Sequence, residues 1–460
     1  METYDVVVVG AGPGGEVAAG RLAEAGLSVA IVEDRKVGGE CSFWACMPSK
    51  ALLRPGEALE EARRLPGAAE AAGGDLDVRA ILRRRDEVIH DLDDSAQLPW
   101  LEDRGIALYR GRGRLAGERR VVVGETEIEA SRAVILAGGT TPAMPPIEGL
   151  AEASPWTNRD ATTAKAVPGR LVIMGGGVVG VEMAHAYATL GSAVTLIEGE
   201  RRLLPREEEY ACVELTEALA ELGVDIRTSQ KAERVRREGD EVHVTLADGS
   251  TVAGDELLVA VGRRPQVGDL GLEHAGLHDA GGFVEVDEHA RVPGVEWLYA
   301  IGDLNGRAQF THMAKYQARV AADHLLGRDT AADHGADGPL APRVIFTDPQ
   351  VAAVGHTTKT AEAAGLAPRV VDVPTSGNAG GSFYGRGARG TTRFLVDEDR
   401  GVLIGATIVG SEVADFLHAA TIAIVGEVPI ARLRHAVPAF PTRSEIWLKL
   451  LEEVDAPAKA

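Results

Sequence analysis

The sequence predicts an α/β protein in which two Rossmann-like domains are followed by a smaller α+β domain. Two observations predict the first part, because residues 4–35 and residues 170–201 both have the pattern strand, glycine-rich turn, helix, strand. A third predicts the second part, because the pattern changes after about residue 340 to strands and two helices. A chain of 460 residues is also too long for one hydrophobic core, so several domains are expected.

The composition argues against a nucleic-acid partner. Acidic residues outnumber basic residues 69 to 48, and the net charge of -21 would repel a phosphate backbone. The run Arg83-Arg84-Arg85 is the obvious exception, but it lies in an Arg- and Glu-rich segment with a helical pattern. We interpret it as the solvated face of a helix.

The N-terminal segment predicts a core strand, since four valines precede a glycine and no basic residues come before them. No apolar run approaches the roughly 18 residues that would cross a bilayer. We therefore expect a soluble cytoplasmic protein without a membrane partner. In that reducing compartment, three cysteines do not make a structural disulfide framework, and the pair Cys41 and Cys46 is of the catalytic or metal-binding kind.

The first repeated unit carries the glycine spacing of a dinucleotide-binding turn. Gly10 permits a tight turn, Gly12 lets the backbone approach a pyrophosphate, and Gly15 allows close packing of helix and strand. The second strand of the unit ends at Glu33, whose carboxylate is suited to accept hydrogen bonds from a ribose.

The second unit repeats this arrangement at Gly175, Gly177 and Gly180. Its acidic residue, Glu198, follows the first glycine by the same 23 residues that separate Glu33 from Gly10. A single glycine motif is weak evidence, but two complete units with matching acids predict that the protein binds two dinucleotides.

Further α/β segments follow these units, and a linker separates the last domain. The additional strand patterns lie at residues 134–142, 256–265 and 296–306. The clearest linker is the Gly-, Asp- and Ala-rich segment 335–342.

The spacing of Cys41 and Cys46 restricts what this pair can do. Zinc sites usually have closer cysteine pairs and four ligands, and no second Cys or His pair stands nearby, so we predict no metal site. Residues five apart on a regular helix diverge by about 140°, which is too far for a disulfide. If the two cysteines form a disulfide, the helix must be distorted there, and such an accessible, strained bond is redox-active.

At this point the sequence resembles a known family, the class I pyridine nucleotide-disulfide oxidoreductases, which include dihydrolipoamide dehydrogenase, glutathione reductase and mercuric reductase. The resemblance covers essentially the whole chain. It is carried by GAGPGG (10–15), GGECSFWACMPSK (38–50), ILAGG (135–139), GGGVVGVE (175–182), VGRRP (261–265), YAIGD (299–303), FTDPQVAAVG (346–355) and PTRSE (441–445).

The resemblance implies a division of the chain by cofactor. An FAD-binding domain would cover residues 1–150, and an NAD(P)-binding domain residues 151–268. A central segment, residues 269–335, would complete the FAD domain. Residues 340–460 would form a dimerisation domain, so that the expected unit is a homodimer in which the partner subunit helps to complete the active site.

The resemblance also implies the roles of four residues near the flavin. Cys46 would be the sulfur next to the flavin, and Cys41 the interchange thiol that meets the electron acceptor. Lys50 and Glu182 match the family's ion pair beside the flavin N5 atom. Cys212 matches no motif and is expected to be a packing residue in a helix.

The remaining expected cofactor contacts follow from the same motifs. For FAD, in addition to the first glycine motif and its acid, they are Gly38, Gly39, Gly138, Asp303 and His312. For NAD(P), Gly262 joins the second glycine motif and its acid. The carboxylate of Glu198 would repel a 2′-phosphate, so NADH is predicted to be preferred over NADPH, although Arg201 and Arg202 leave NADPH open.

The sequence departs from the family at Phe440. Members that reduce disulfides usually carry a histidine there, oriented by a glutamate five residues later, and that histidine is the general acid-base. Here Glu445 is retained but phenylalanine cannot carry a proton, which removes an effect worth roughly 10²- to 10⁴-fold in rate. Glu445 itself, or His435, remains an alternative proton carrier.

We therefore predict an FAD-dependent NAD(P)H oxidoreductase that passes electrons through Cys41 and Cys46 to a small disulfide acceptor. The acceptor's leaving thiol would be acidic enough to depart without a general acid. Three alternatives stay open: reduction of a metal ion or quinone; proton-excluding carbon chemistry, as in 2-ketopropyl coenzyme M oxidoreductase/carboxylase, a family member that is similar in having phenylalanine at this position; and a redox-sensing flavoprotein subunit.

Overall fold

The computed structural model describes residues 1–277, 282–328, 330–333, 337–385 and 387–456. The strands, in chain order, are β1 (Glu2–Val9), β2 (Val29–Glu33), β3 (Ala107–Arg110), β4 (Gly113–Gly117), β5 (Arg120–Val123), β6 (Thr126–Leu136), β7 (Thr140–Pro142), β8 (Arg170–Met174), β9 (Ala193–Ile197), β10 (Asp225–Arg227), β11 (Ala232–Glu238), β12 (Glu241–Leu246), β13 (Thr251–Gly254), β14 (Glu256–Val259), β15 (Arg263–Pro265), β16 (Leu298–Ala300), β17 (Arg343–Ile345), β18 (Gln350–Gly355), β19 (Arg369–Pro374), β20 (Thr391–Asp397) and β21 (Val402–Gly410).

Thirteen α-helices lie within the described residues. They are α1 (Pro13–Glu24), α2 (Gly39–Phe43), α3 (Cys46–Arg64), α4 (Val78–Val88), α5 (Leu98–Glu102), α6 (Asn158–Thr163), α7 (Val178–Thr189), α8 (Glu209–Glu221), α9 (Thr311–Leu325), α10 (Thr358–Ala363), α11 (Leu417–Val425), α12 (Ile430–Leu433) and α13 (Ile446–Asp455). The chain divides into two compact units. The first contains residues 1–48, 86–143 and 263–341, and the second contains residues 49–85, 144–262 and 342–460.

The first unit is built on a seven-stranded mixed sheet. Its order is β3-β2-β1-β6-β5-β4, and β16 also pairs with β6. The pairs β1–β2, β1–β6 and β2–β3 are parallel, as expected for strands joined by crossover helices. The valine run of β1 is fully buried at the centre, which explains why it reads as a continuous apolar segment.

The second unit contains a parallel sheet and two antiparallel sheets. The parallel sheet has the order β10-β9-β8-β14, and a three-stranded sheet, β11-β12-β13, accompanies it. The C-terminal part forms a five-stranded antiparallel sheet with the order β17-β18-β21-β20-β19. Helices α11 and α13 bury apolar side chains in the same core as this sheet. The predicted fold class is therefore confirmed.

The two glycine turns have the same backbone geometry, and both need glycine for the same reason. Gly10 has a φ of +111° and Gly175 a φ of +110°, in the region that L-residues avoid. A Cβ atom on Gly15 would lie 1.9 Å from the Gly10 carbonyl oxygen, and one on Gly180 would lie 1.8 Å from that of Gly175. Helix and strand therefore pack too closely for any side chain at these positions.

Arg85 corrects the interpretation of the arginine run as a solvated helix face. Arg83 and Arg84 are exposed on α4, but the side chain of Arg85 is completely buried. Its guanidinium donates hydrogen bonds to the carbonyl oxygens of Thr162 and Ala164 at the C-terminal end of α6. The charge is buried because it satisfies helix-end carbonyls that have no partner within the helix.

The predicted linker lies partly outside the described residues, which exclude 334–336. The rest of it includes a short 3₁₀ turn, Gly338–Leu340. The two compact units do not test the four-segment division by cofactor, which stays a prediction. Within the described ranges, no helix is long and apolar enough to cross a membrane.

Candidate active site

The helix is interrupted between the two cysteines, as a redox-active pair at this spacing requires. Cys41 lies in α2, and Cys46 is the first residue of α3. Between them Trp44 has φ of -136° and ψ of -1°, which is not helical. Both cysteines are half-buried free thiols. A hydrogen bond with Cys46 and burial raise the pKa of the Cys41 thiol well above its ordinary value.

The N-terminus of α9 lies against this pair. The hydroxyl oxygen of Thr311, the first residue of α9, is 3.4 Å from the sulfur of Cys46. A 15-residue helix directs the positive end of its dipole at this point. Such an environment favours a thiolate over a thiol.

The first glycine turn retains room for a pyrophosphate. Gly12 is the N-cap of α1, and a Cβ atom placed on it would meet no atom within 4 Å. The carboxylate of Glu33 accepts hydrogen bonds from the backbone N–H of Ala11 at 2.7 Å and of Arg35 at 2.8 Å. Burial raises the pKa of Glu33, and these two N–H groups oppose that effect. The turn and the acid fit the adenosine half of FAD.

The second glycine turn has the same construction. Gly177 is the N-cap of α7, and a Cβ atom there would also project into open space. Glu198 accepts hydrogen bonds from the backbone N–H groups of Gly176 and Glu200. These residues fit a second dinucleotide. No cationic side chain is needed to bind its phosphates, because backbone N–H groups at a helix N-terminus can do so.

Asp303 belongs to a small polar network in the first unit. Its carboxylate accepts a hydrogen bond of 2.7 Å from the hydroxyl of Thr140. Arg263 donates to the same hydroxyl at 2.6 Å, and its guanidinium is 4.0 Å from the Asp303 carboxylate. Burial raises the pKa of Asp303, while Thr140 and Arg263 lower it. The network fixes an acceptor that fits hydroxyl groups of the FAD ribityl chain.

Gly38 and Gly39 form a turn that packs on the first glycine loop. The N–H of Gly38 donates to the carbonyl of Ala11 at 2.8 Å. A Cβ atom on Gly39 would lie 2.8 Å from the Cα of Gly12. The segment that carries Cys41 is thereby fixed to the segment expected to hold the pyrophosphate.

Three other predicted cofactor residues have definite positions. Gly138 accepts a hydrogen bond of 2.9 Å from the side chain of Gln266. Gly262 has a φ of +128°, which only glycine adopts readily. His312 is exposed at the start of α9, and its ring stacks on that of Phe310 with centroids 5.4 Å apart.

The predicted ion pair is present in the second unit. The Lys50 ammonium is 2.8 Å from Oε2 of Glu182 and 3.1 Å from Oε1. Glu182 is buried, and it also accepts a hydrogen bond of 3.0 Å from the backbone N–H of Phe346. The same ammonium lies 4.6 Å from the centre of the Phe346 ring. Glu182 thus holds the ammonium in one position.

The segment around Phe440 exposes an aromatic ring where the sequence resemblance implies a base. The Phe440 side chain is 77% exposed. The Glu445 carboxylate borders a cavity of about 500 Å³. Its Oε2 atom is buried and accepts no hydrogen bond from any residue that the structure describes. His435 is exposed just after α12.

The predicted site residues fall into two sets, one in each compact unit. The first unit holds Cys41, Cys46, Asp303 and the first glycine turn, and the second holds Lys50, Glu182, Glu445 and the second glycine turn. Cys212 is buried in α8, as expected of a packing residue. Over the described ranges, no group of three or more His, Cys, Asp or Glu side chains is placed to hold a metal ion.

Sequence reasoning missed several polar groups at these sites. Thr140 and Arg263 lie inside or beside quoted motifs, in GGTTP and VGRRP, and could have been singled out as hydrogen-bonding types next to glycines. Gln317 could not, because only the fold brings its buried side chain to the N–H of Gly302, beside Asp303. The contact of Thr311 with Cys46 was not foreseen.

Comparison with known proteins agrees with this geometry. Residues 4–318 match the family described as pyridine nucleotide-disulphide oxidoreductase, and residues 341–451 match the dimerisation domain of that family. Dihydrolipoyl dehydrogenase of Thermus scotoductus is 34% identical, over 98% of this chain and 97% of the relative.

Two solved structures extend the likeness to the fold. LpdA from Mycobacterium tuberculosis has a TM-score of 0.87 at 26% identity and covers 99% of this chain and 100% of its own. The Cu(II) complex of the HOCl-induced flavoprotein disulfide reductase RclA from Escherichia coli has a TM-score of 0.85, also at 26% identity, with the same coverage.

Proposed function

The chain belongs to the pyridine nucleotide-disulphide oxidoreductase family, and from that premise we propose that it reduces a disulfide whose leaving thiol is acidic. Family membership makes it a flavoprotein oxidoreductase acting on sulfur groups, with FAD and NAD(P)H as cofactors. One observation carries the proposal: the hydrogen-bonded thiols of Cys41 and Cys46 lie at the N-terminus of α9, in the same compact unit as the FAD-type turn.

Different residues of the chain would serve cofactor binding and sulfur chemistry. Bound FAD would take hydride from NAD(P)H and supply two electrons to the cysteine pair. Gly12, Glu33 and Asp303 would hold that cofactor. Thr311 and the α9 dipole would stabilise negative charge on the Cys46 sulfur.

Lys50 and Glu182 would form a fixed charge pair at the site of hydride arrival. Glu182 is held by three donors, two from the Lys50 ammonium and one from a backbone N–H, so the ammonium is preorganised rather than mobile. A preorganised cation stabilises negative charge that develops nearby. Replacement of Lys50 should accordingly slow reduction by NADH without releasing the cofactor.

Phe440 supports the choice of an acceptor with an acidic thiol. An exposed phenylalanine gives no proton to a departing thiolate, so a leaving group of low pKa has the advantage. The rate should then depend steeply on the pKa of the acceptor's thiol.

NADH is the proposed reductant. Glu198 accepts two backbone hydrogen bonds just after β9, and a carboxylate held in this way would repel a 2′-phosphate, which supports the proposal. The ratio of kcat/KM for NADH and NADPH measures this preference directly.

A metal ion is the second candidate acceptor. The likeness to RclA supports it, because that disulfide reductase has been solved as a Cu(II) complex. The two thiols of Cys41 and Cys46 are soft ligands of the kind that bind copper. Reduction of Cu(II) would require no proton at sulfur, and therefore no acid at position 440.

Parallel acceptor assays separate these candidates. The enzyme is reduced with NADH under anaerobic conditions and mixed separately with lipoamide, an aromatic disulfide of low thiol pKa, a quinone and Cu(II). The proposal predicts fast reoxidation by the aromatic disulfide and slow reoxidation by lipoamide. Fast turnover with lipoamide, or with the quinone alone, would contradict it. The Cys46→Ser variant is the control, since it should lose disulfide reduction.

A further inference from the structure

A carboxyl group and an ammonium group lie along the helices that flank the cysteine pair. Helices α1 and α9 run side by side: a Cβ atom on Gly14 would approach that of Ala314 to 3.3 Å, and Arg21 is 2.7 Å from Asp323. The second contact lies nearer than the first to the C-terminus of each helix. The helices are therefore parallel, and their first turns lie together.

Lys315 and Glu16 occupy these first turns. Lys315 follows Thr311 by one helical turn, so it lies on the face that contacts Cys46. Glu16 is in the first turn of α1, and both side chains are half-buried. The Lys315 ammonium interacts electrostatically with the Glu16 carboxyl and with the Cys41 thiol.

The protonation of Glu16 and Cys41 follows from this environment. Burial raises the pKa of Glu16 to about 7, with Lys315 opposing the shift and Glu33 adding to it. The hydrogen bond with Cys46 and burial raise the pKa of Cys41, and Lys315 opposes them. The titratable groups that face this region from α1, α2, α3, α9 and β2 are Glu16, Cys41, Cys46, Lys315 and Glu33.

We propose that Lys315 and Glu16 set the charge around Cys41 and supply no proton to the acceptor. Lys315 is a positioning residue that stabilises the thiolate of Cys41. Glu16 sets the strength of this effect, because its carboxylate, once ionised, offsets part of the Lys315 charge. The inference rests on the proposed function and names the groups that make it work without a histidine.

The exchange balances in two steps. The Cys41 thiolate attacks one sulfur of the acceptor, so that a new S–S bond forms while the acceptor's S–S bond breaks. The leaving sulfur keeps the electron pair and departs as a thiolate, which solvent water then protonates; this is favoured because the acceptor's thiol is acidic. Cys46 then attacks the Cys41 sulfur, which closes the Cys41–Cys46 disulfide and releases the second thiolate to be protonated by water. Two electrons, supplied earlier by NAD(P)H, thus convert one disulfide into two thiols.

The test reads the Cys41 thiolate directly. In the FAD-loaded Cys46→Ser protein, the rate of iodoacetamide alkylation of Cys41 is measured between pH 5 and pH 10. Removing a facing cation shifts a thiol pKa by about one unit, so Lys315→Met should lower the rate at pH 7 roughly tenfold. Lys315→Arg should retain the rate, because the charge remains. Lys359→Met, at an exposed lysine of α10, is the matched control and should change nothing.

Glu16→Gln supplies the second arm. It should remove the inflection near pH 7 from the alkylation profile, because no group with that pKa then interacts with Lys315. The proposal is overturned if Lys315→Met and Glu16→Gln leave the profile unchanged, or if Lys315→Arg fails like Lys315→Met. Alkylation needs no NADH, so failure here leaves NADH-driven disulfide reduction standing. Conversely, a protein that NADH cannot reduce still gives this profile.

Discussion

At the residue scale, the proposed choice of acceptor depends on Phe440 and Glu445. The glutamate that orients a histidine in related enzymes is kept, and its buried Oε2 atom accepts no hydrogen bond from the described part of the chain. A buried carboxylate oxygen without a donor is costly, so the local structure is suited to receive one. The resemblance therefore implies that position 440 lacks a proton carrier, while the residue that would orient one is present.

Phe440→His should therefore gain activity with lipoamide. The imidazole would donate one N–H to Glu445 and use its other nitrogen as the acid-base, an effect worth roughly 10²-fold or more when well positioned. Steady-state kinetics with lipoamide and with the aromatic disulfide measure it, and the second substrate should gain much less.

The double variant Phe440→His, Glu445→Gln is the matched control. It should lose most of the gain, because glutamine does not stabilise an imidazolium. An equal gain in both variants would show that Glu445 has no orienting role.

Glu16 makes a prediction about stability and pH. Its pKa is about 7 in the folded protein against an ordinary 4.5, so the folded state binds this proton more tightly than the unfolded state. The resulting stabilisation is complete below about pH 4.5 and is lost as the pH rises through 7. Relative to the Glu16→Gln variant, the wild-type holoenzyme should lose melting temperature between pH 5 and pH 8. If the melting temperatures of the two proteins changed with pH in the same way, the raised pKa of Glu16 would be contradicted.

At the element scale, variants of the two glycine turns distinguish a glycine needed for packing from a glycine needed for cofactor binding. Ala at Gly15 would place its Cβ atom 1.9 Å from a carbonyl oxygen, whereas Ala at Gly12 meets nothing within 4 Å. Gly15→Ala should therefore destabilise the first unit, and Gly12→Ala should fold but bind FAD poorly, because its methyl group enters the pyrophosphate position. Circular dichroism melting and flavin content per chain measure the two effects.

Gly177→Ala is the matched variant in the second turn. It has the same open surroundings as Gly12, so it should fold and keep its FAD. The KM for NADH should rise instead. Loss of flavin from this variant would contradict the assignment of FAD to the first turn and NADH to the second.

Helix α6 depends on a buried arginine from α4. Arg85→Met would leave the carbonyls of Thr162 and Ala164 without their donors, and unsatisfied buried acceptors typically cost about 1 to 3 kcal/mol. Urea unfolding should show a loss in this range. Arg83→Met, on the exposed face of the same helix, is the control and should stay within about 0.5 kcal/mol of wild type.

At the scale of the whole molecule, the dimerisation-domain match supports a homodimer. Exposed apolar side chains in this domain favour the same conclusion: Ile422 on α11 is 57% exposed and Val437 is 79% exposed. Ile422→Glu should convert the dimer to monomers in sedimentation experiments while the far-ultraviolet spectrum is retained. A variant that stays dimeric would place the interface elsewhere.

A shared active site makes a separate prediction for mixed dimers. Chains carrying Cys46→Ser are paired with chains whose 440–445 segment is disrupted, and each parent homodimer should be inactive. A mixed dimer should recover one working site, since one cysteine pair then faces an intact segment. A verified mixed dimer that recovers no activity would count against the shared site.

The fold and the two glycine turns could be predicted from the sequence because local backbone geometry determines them. The positions of Gly10 and Gly15 follow from backbone geometry that any chain with this turn must adopt. Arg85 was misread because a run of arginines does not show which one turns inward. Lys315 and Glu16 were not singled out, since only the contact of α9 with Cys46 and the packing of α1 against α9 bring them to this region.

Reduction of the Cys41–Cys46 pair by NADH is the basis of the proposed function, and it can be measured directly. The FAD-loaded enzyme is treated anaerobically with one equivalent of NADH, quenched with iodoacetamide, and each cysteine is quantified by mass spectrometry. We predict that Cys41 and Cys46 are alkylated together after NADH and protected without it, while Cys212 is unchanged. Equal labelling of Cys41 and Cys46 with and without NADH would contradict the claim.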